Sequence, residues 1–163
     1  MRRLISAAAV LLLCPTLAAA QAAAGAPPLN LFMSAADVTA MIAKAKTSRA
    51  ADQANYSQPI LRLAPYAANL EYRVAGFNAN ATIHETEAEM FYVVEGSGTV
   101  VTGGTLQNGR RTNPTNQAGS AIEGGTRRRI AKGDFIMVPQ NTAHWFGEID
   151  GALVLMSIHL PTP

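Results

Sequence analysis

Only a few side chains in this 163-residue chain can do chemistry, and their spacing is regular. Two short stretches carry most of them. The first runs Gly76, Thr82, His84, Glu89, Gly96, and the second runs Gly133, Pro139, Asn141, His144, Glu148. Imidazole nitrogens and carboxylate oxygens hold transition metals and move protons, so these are the residues to weigh first. Either histidine alone on an apolar strand would be read as structural. Together, their chemistry depends on strand parity. Residues i and i+2 of a strand face one side, so Thr82 and His84 project together. A turn through residues 85–88 would return the chain with Glu89, Phe91 and Val93 facing the same interior. The second stretch would bring in His144, Phe146 and Glu148 from another strand.

The spacing resembles the paired motifs of the cupin family, G-x5-H-x-H-x3-4-E-x6-G followed by G-x5-P-x-G-x2-H-x3-N. On that resemblance, His84, Glu89 and His144 take three of the family's four metal-ligand slots. Thr82 stands where the pattern has its first histidine. Gly133 and Asn141 fall at tight turns, where asparagine tolerates a left-handed backbone, and Pro139 fixes the approach. The implied fold is all-β, a double-stranded β-helix or jelly-roll barrel with a short N-terminal helix. Two imidazoles and one carboxylate form the ligand set of a non-haem Fe(II) centre, though Mn, Ni, Zn or Cu can also use it. Thr82 would leave room for water or a bidentate substrate, or mark a site that has lost its metal. Glu148 takes the family's Asn slot and is the candidate catalytic acid/base, an exposed strand-end charge being the alternative. His159, in the last apolar run, reads as a surface or barrel-end histidine rather than a ligand.

The surrounding sequence supplies the elements such a site needs. Ser34-Ala-Ala-Asp37 is a capping box, with Met33 and Val38 at staple spacing. Val38, Met41, Ile42 and Ala45 then form one apolar stripe, which predicts a helix packed outside a barrel or at a subunit contact. From Ile60 onward the pattern is that of strands. Leu61 and Leu63 alternate around Arg62, and Leu70, Tyr72 and Val74 alternate with Glu71 and Arg73. Residues 90–94, 135–138 and 152–160 are further apolar runs. Gly103-Gly104, Asn108-Gly109 and Gly124-Gly125 mark turns between the two motifs. Arg127, Arg128 and Arg129 read as a solvated edge strand, and Arg110-Arg111 as loop surface.

The N-terminus predicts export. Arg2 and Arg3 precede an uncharged run from Leu4 to Leu17, followed by the small residues Ala18, Ala19 and Ala20. This is the pattern of a secretory leader over residues 1–20, too short an apolar run to span a bilayer. An uncleaved anchor is the weaker alternative. Residues 21–33 read as a linker and 34–163 as one domain, located in the periplasm. The full chain has 13 Lys+Arg against 11 Asp+Glu, and losing Arg2 and Arg3 makes the two equal. The balance gives no support to nucleic-acid binding. The one cysteine, Cys14, would leave with the leader, so no disulfide is expected.

These readings lead to an exported metal enzyme acting on a small-molecule substrate, a homodimer as many relatives of the fold are. Oxygen-dependent cleavage is the expected subtype, with Fe first among the divalent transition metals. The rival is a non-enzymatic periplasmic binder of a sugar or other small molecule.

Overall fold

The computed structural model describes residues 30–77 and 79–162. The predicted leader and most of the linker lie outside the described residues. Helix α1, Ala35–Ser48, starts as its sequence predicts: Ser34 and Asp37 form a reciprocal capping box. Its stripe buries Ile42 and Ala45 against Ile60, Leu70, Tyr72 and Val154, so the helix covers the outside of the sheet. Among the described residues, no helix is long and apolar enough to cross a membrane.

Among the described residues twelve strands follow: β1 Asn55–Leu63, β2 Tyr66–Val74, β3 Ala81–His84, β4 Glu87–Thr102, β5 Thr105–Gln107, β6 Arg110–Asn113, β7 Asn116–Gly119, β8 Ala121–Glu123, β9 Thr126–Ala131, β10 Phe135–Val138, β11 His144–Gly147 and β12 Ala152–Pro161. Ten join one sheet, and β5 pairs with β8 separately. The sheet is antiparallel and curls as a jelly-roll does, which agrees with the all-β fold expected from the motifs. β1 begins at Asn55, five residues before Ile60, where the sequence pattern announces it. Pro59 obscures the pattern, and it is accommodated by a register irregularity between Pro59 and Leu61.

Strand β4 organises the barrel. Its first half pairs with β12 and β10, and its second half with β9 and β11. The transition falls at Gly96, which has φ +80° and where an added Cβ would run into the Ala152 carbonyl. Glycine is therefore required there on both counts. Phe91, Val93, Val100, Ile130, Val138, Phe146, Leu153 and Leu155 fill the interior. Phe91 and Phe146 meet edge to face with centroids 4.7 Å apart.

The three arginines of β9 are exposed, as an edge strand predicts. Arg110 and Arg111 are not loop residues: they belong to β6, where Arg111 donates to Glu85. Their polar, two-sided sequence carries no alternation, because β6 is exposed along its whole length.

Candidate metal centre

Three strands bring the first-motif and second-motif residues together. β3 ends at His84, β4 begins at Glu87, and β11 starts with His144 placed opposite Thr82. The turn preceding β11 is held to β3 by a backbone bond from Asn141 N–H to the His84 carbonyl, 2.6 Å. Asn141 takes φ 55°, the left-handed conformation expected of it. This one bond couples the loop carrying His144 to the strand carrying His84.

His84, Glu89 and His144 each offer one ligand atom, and those atoms lie within 4.8 Å of one another. Glu89 Oε2 is 3.2 Å from His84 Nε2 and 3.0 Å from His144 Nε2. Glu89 and His144 are each only 5% exposed, while His84 is 17% exposed. Burial disfavours the Glu89 carboxylate, but hydrogen bonds from His144 and His84 and their charges outweigh it. They hold the carboxyl well below its usual range. Burial likewise opposes charging of His84, and there too Glu89 prevails, with Asn116 and Glu87 assisting, so the His84 pKa is raised.

The environment of His144 is the most informative. Its Nδ1 lies 3.2 Å from the Thr142 carbonyl, which can only accept, so Nδ1 carries a proton. In the neutral ring Nε2 is then a lone pair. That lone pair faces a carboxylate oxygen at 3.0 Å and the Thr82 hydroxyl at 2.9 Å. Two acceptors in such contact require a positive charge between them, a proton on Nε2 or a cation. Two donor atoms bound side by side to one metal at ordinary bond lengths sit about 3 Å apart, so the donor set fits a transition-metal ion. Phe91 packs against the His144 ring at 6.0 Å, a dry wall on the core side.

Thr82 faces the same interior as His84, as strand parity predicted, and its hydroxyl reaches His144 Nε2. Glu148 does not join the cluster. Strand β11 ends at Gly147, and Glu148 turns out with φ 48°. It lies roughly 13 Å of extended chain beyond His144. Its carboxylate accepts from Thr99 at 2.7 Å and pairs with Arg127, and those contacts lower its pKa. Its surroundings are those of the exposed strand-end charge, not of an acid/base beside a metal.

His159 stands where its apolar context did not suggest. It is opposite Glu89 in the β12–β4 register, with Nε2 3.3 Å from Glu89 Oε1 and Nδ1 2.8 Å from Glu87 Oε1. A signal was present in the sequence: Leu153, Leu155, Ser157 and His159 share one parity, and the first three are fully buried.

The comparisons with known proteins agree with this architecture. KdgF from a Halomonas species is similar at 16% identity and TM-score 0.52, over 71% of this chain and 87% of that one. The DMSP lyase DddQ from Ruegeria pomeroyi DSS-3 is similar at 17% identity and TM-score 0.54, over 83% and 68%. The cupin domain of Cnp3 from Schizosaccharomyces pombe is similar at 15% identity and TM-score 0.51, over 72% of each. Identities this low speak for the fold alone. No curated protein sequence matches the chain. The family model described as Cupin, however, matches residues 38–160, and the chain therefore belongs to the cupin family.

Proposed function

We propose that His84, Glu89 and His144 hold a divalent transition metal, Fe before Mn, Ni, Zn or Cu, and that the protein acts on a small organic substrate. The observation carrying this reading is the His144 Nε2 lone pair set 3.0 Å from the Glu89 carboxylate, an arrangement a cation satisfies. When bound, the metal would supply Lewis acidity and exchangeable positions for substrate and dioxygen. The remaining work falls to the protein. The Thr142 carbonyl fixes the tautomer and tilt of His144, because it can accept only from Nδ1. Thr82 presents a hydroxyl in place of an imidazole, keeping the β3 side of the cluster open to a ligand while donating to whatever lies there. Phe91 keeps water off the inner side of the His144 ring.

Oxygen-dependent cleavage is our preferred reaction class, from the two-imidazole, one-carboxylate donor set. The fold does not choose it, since similar barrels include a protein described as a DMSP lyase. We further place the working protein in the periplasm, as a homodimer freed of residues 1–20.

One observation favours a second reading, a non-enzymatic small-molecule or sugar binder. The same cluster also closes without metal: an imidazolium on either histidine pairs with Glu89, and Thr82 completes the set. Metal analysis of protein purified without chelator separates the two. Near-stoichiometric transition metal is expected under the first reading, and almost none under the second. The His144→Ala variant should lose at least about 100-fold in metal affinity with its β-sheet circular dichroism intact. That is as large as the effect expected for residues supporting a ligand, and a ligand itself should not fall below it. Unchanged affinity in this variant would remove His144 from the centre.

A further inference from the structure

We propose that His159 is a positioning residue for Glu89: it engages the Oε1 oxygen, so that Oε2 alone is turned towards His84 and His144. The role assigned to His159 rests on the metal centre proposed for those three residues.

Strands β4 and β12 pair with Glu89 opposite His159 and Glu87 opposite Pro161. Glu87 and Glu89 share one face of β4 by parity, and His159 meets both. Four side chains thereby close a ring. His84 Nε2 reaches Glu89 Oε2 at 3.2 Å, and Glu89 Oε1 reaches His159 Nε2 at 3.3 Å. His159 Nδ1 reaches Glu87 Oε1 at 2.8 Å, and that same oxygen lies 3.4 Å from His84 Nδ1. The last contact is the loosest: His84 Nδ1 is buried with no hydrogen bond of its own. Glu87 thus tethers His159 firmly and His84 only by charge; with a carboxylate oxygen facing each ring nitrogen of His159, Nε2 can donate to Glu89 only when both nitrogens carry a proton.

The consequence concerns the terminal torsion of Glu89, which is broad and roughly two-fold in a free side chain. Unrestrained, the carboxylate could present either oxygen, or both, to a cation. With His159 Nε2 facing Oε1 at 3.3 Å, one oxygen is left for the metal and a coordination position stays open. His159 acts through Glu89, because it lies outside the set of side chains whose donor atoms are mutually within 4.8 Å. With Thr82 in place of a fourth protein ligand, this restraint determines how many positions a substrate finds.

Co(II) alone, added to the full chain, is the probe, because its visible absorption reports coordination number and titration reports affinity. His159→Phe should weaken Co(II) binding by about 10–100-fold, the usual cost of losing a partner that orients a ligand. Its spectrum should shift towards higher coordination as Glu89 binds through both oxygens. His159→Gln, whose amide N–H can still donate to Oε1, should keep a spectrum like that of the unsubstituted protein. If His159→Phe fails to fold, Glu87→Ala, which unties His159 at a half-buried position, should show the same spectral shift in smaller degree. Wild-type affinity and spectrum in His159→Phe, or in Glu87→Ala if that variant must decide, would overturn the positioning role while leaving the metal centre standing. Loss of all Co(II) binding in both the Phe and Gln variants would make His159 a ligand and also overturn it. An unsubstituted protein that takes up no Co(II) would overturn the metal centre and the positioning role together.

Discussion

Glu71 and Glu89 are both buried carboxylates on strands flanking β12, yet their settings differ in kind. Glu71 is paired by an always-charged partner: Arg73 donates to its Oε2 through Nε at 2.9 Å and Nη2 at 2.6 Å. Asn55 adds a third donor at 3.3 Å, and the Arg73 guanidinium lies 5.0 Å from the Phe146 ring centre. The charges are matched, all three donors converge on Oε2, and no further ion is called for. Glu89 is surrounded by imidazoles, whose charge is optional and whose lone pairs bind metals. Burial alone does not mark a functional carboxylate. What distinguishes Glu89 is that its partners can exchange a proton for a cation, which a guanidinium cannot do.

Breaking each cluster should therefore have a different signature. The largest effect on stability is expected from Glu71→Ala, which strands Arg73 beside the core. Truncating one member of a buried pair costs about 3–5 kcal/mol, and the slight exposure of this pair places the expectation at the lower end. The double variant Glu71→Leu with Arg73→Met should recover most of it. Chemical denaturation of the three proteins measures this, and a fully stable Glu71→Ala would show that the pair is not matched as described. Metal affinity should be untouched throughout.

Acidification should produce an intermediate effect that singles out Glu89. Its folded pKa is depressed below the ordinary 4.5, so its contribution to stability is complete above that value and is lost as pH falls further. His84 has the opposite sign: a raised folded pKa stabilises below about 6.5 and is lost as pH rises through the folded value. Melting temperatures of the metal-free protein should thus fall below pH 4.5, and Glu89→Gln should flatten that limb. An acid limb identical in the two proteins would show that another carboxylate is responsible.

The smallest effect is expected from Glu148→Gln. Glu148 is itself exposed just past the end of β11, its ion pair with Arg127 is on the surface, and a glutamine can still accept from Thr99, so metal affinity and melting temperature should both stay where they are. A clear loss of metal affinity would return Glu148 to the neighbourhood of the centre.

Much of this arrangement was legible beforehand. Ser34 and Asp37 announce α1 because a capping box is a local hydrogen-bond pattern between residues three apart. Asn141 could be assigned its left-handed backbone because that preference belongs to the residue itself. Thr82, His84 and Glu89 could be placed on one interior because parity holds across a short turn. Parity misled at Glu148, two residues past Phe146, because the strand ends between them and a positive φ reverses the side chain. At His159 the apolar run conceals that one face of β12 continues the core into the polar cluster.

The sequence by itself determined the all-β class and the helix start, since these follow from local conformational preference and strand periodicity, while its resemblance to the cupin motifs indicated which three residues would be gathered. Only the tertiary structure decided what those residues touch. That Thr82 meets His144, that Glu87 and His159 close a ring through Glu89, and that Arg73 rather than a histidine meets Glu71 all depend on side-chain geometry and on pairings such as Glu89 opposite His159. Those pairings join residues distant along the chain, and their register is set by the packing of the whole barrel.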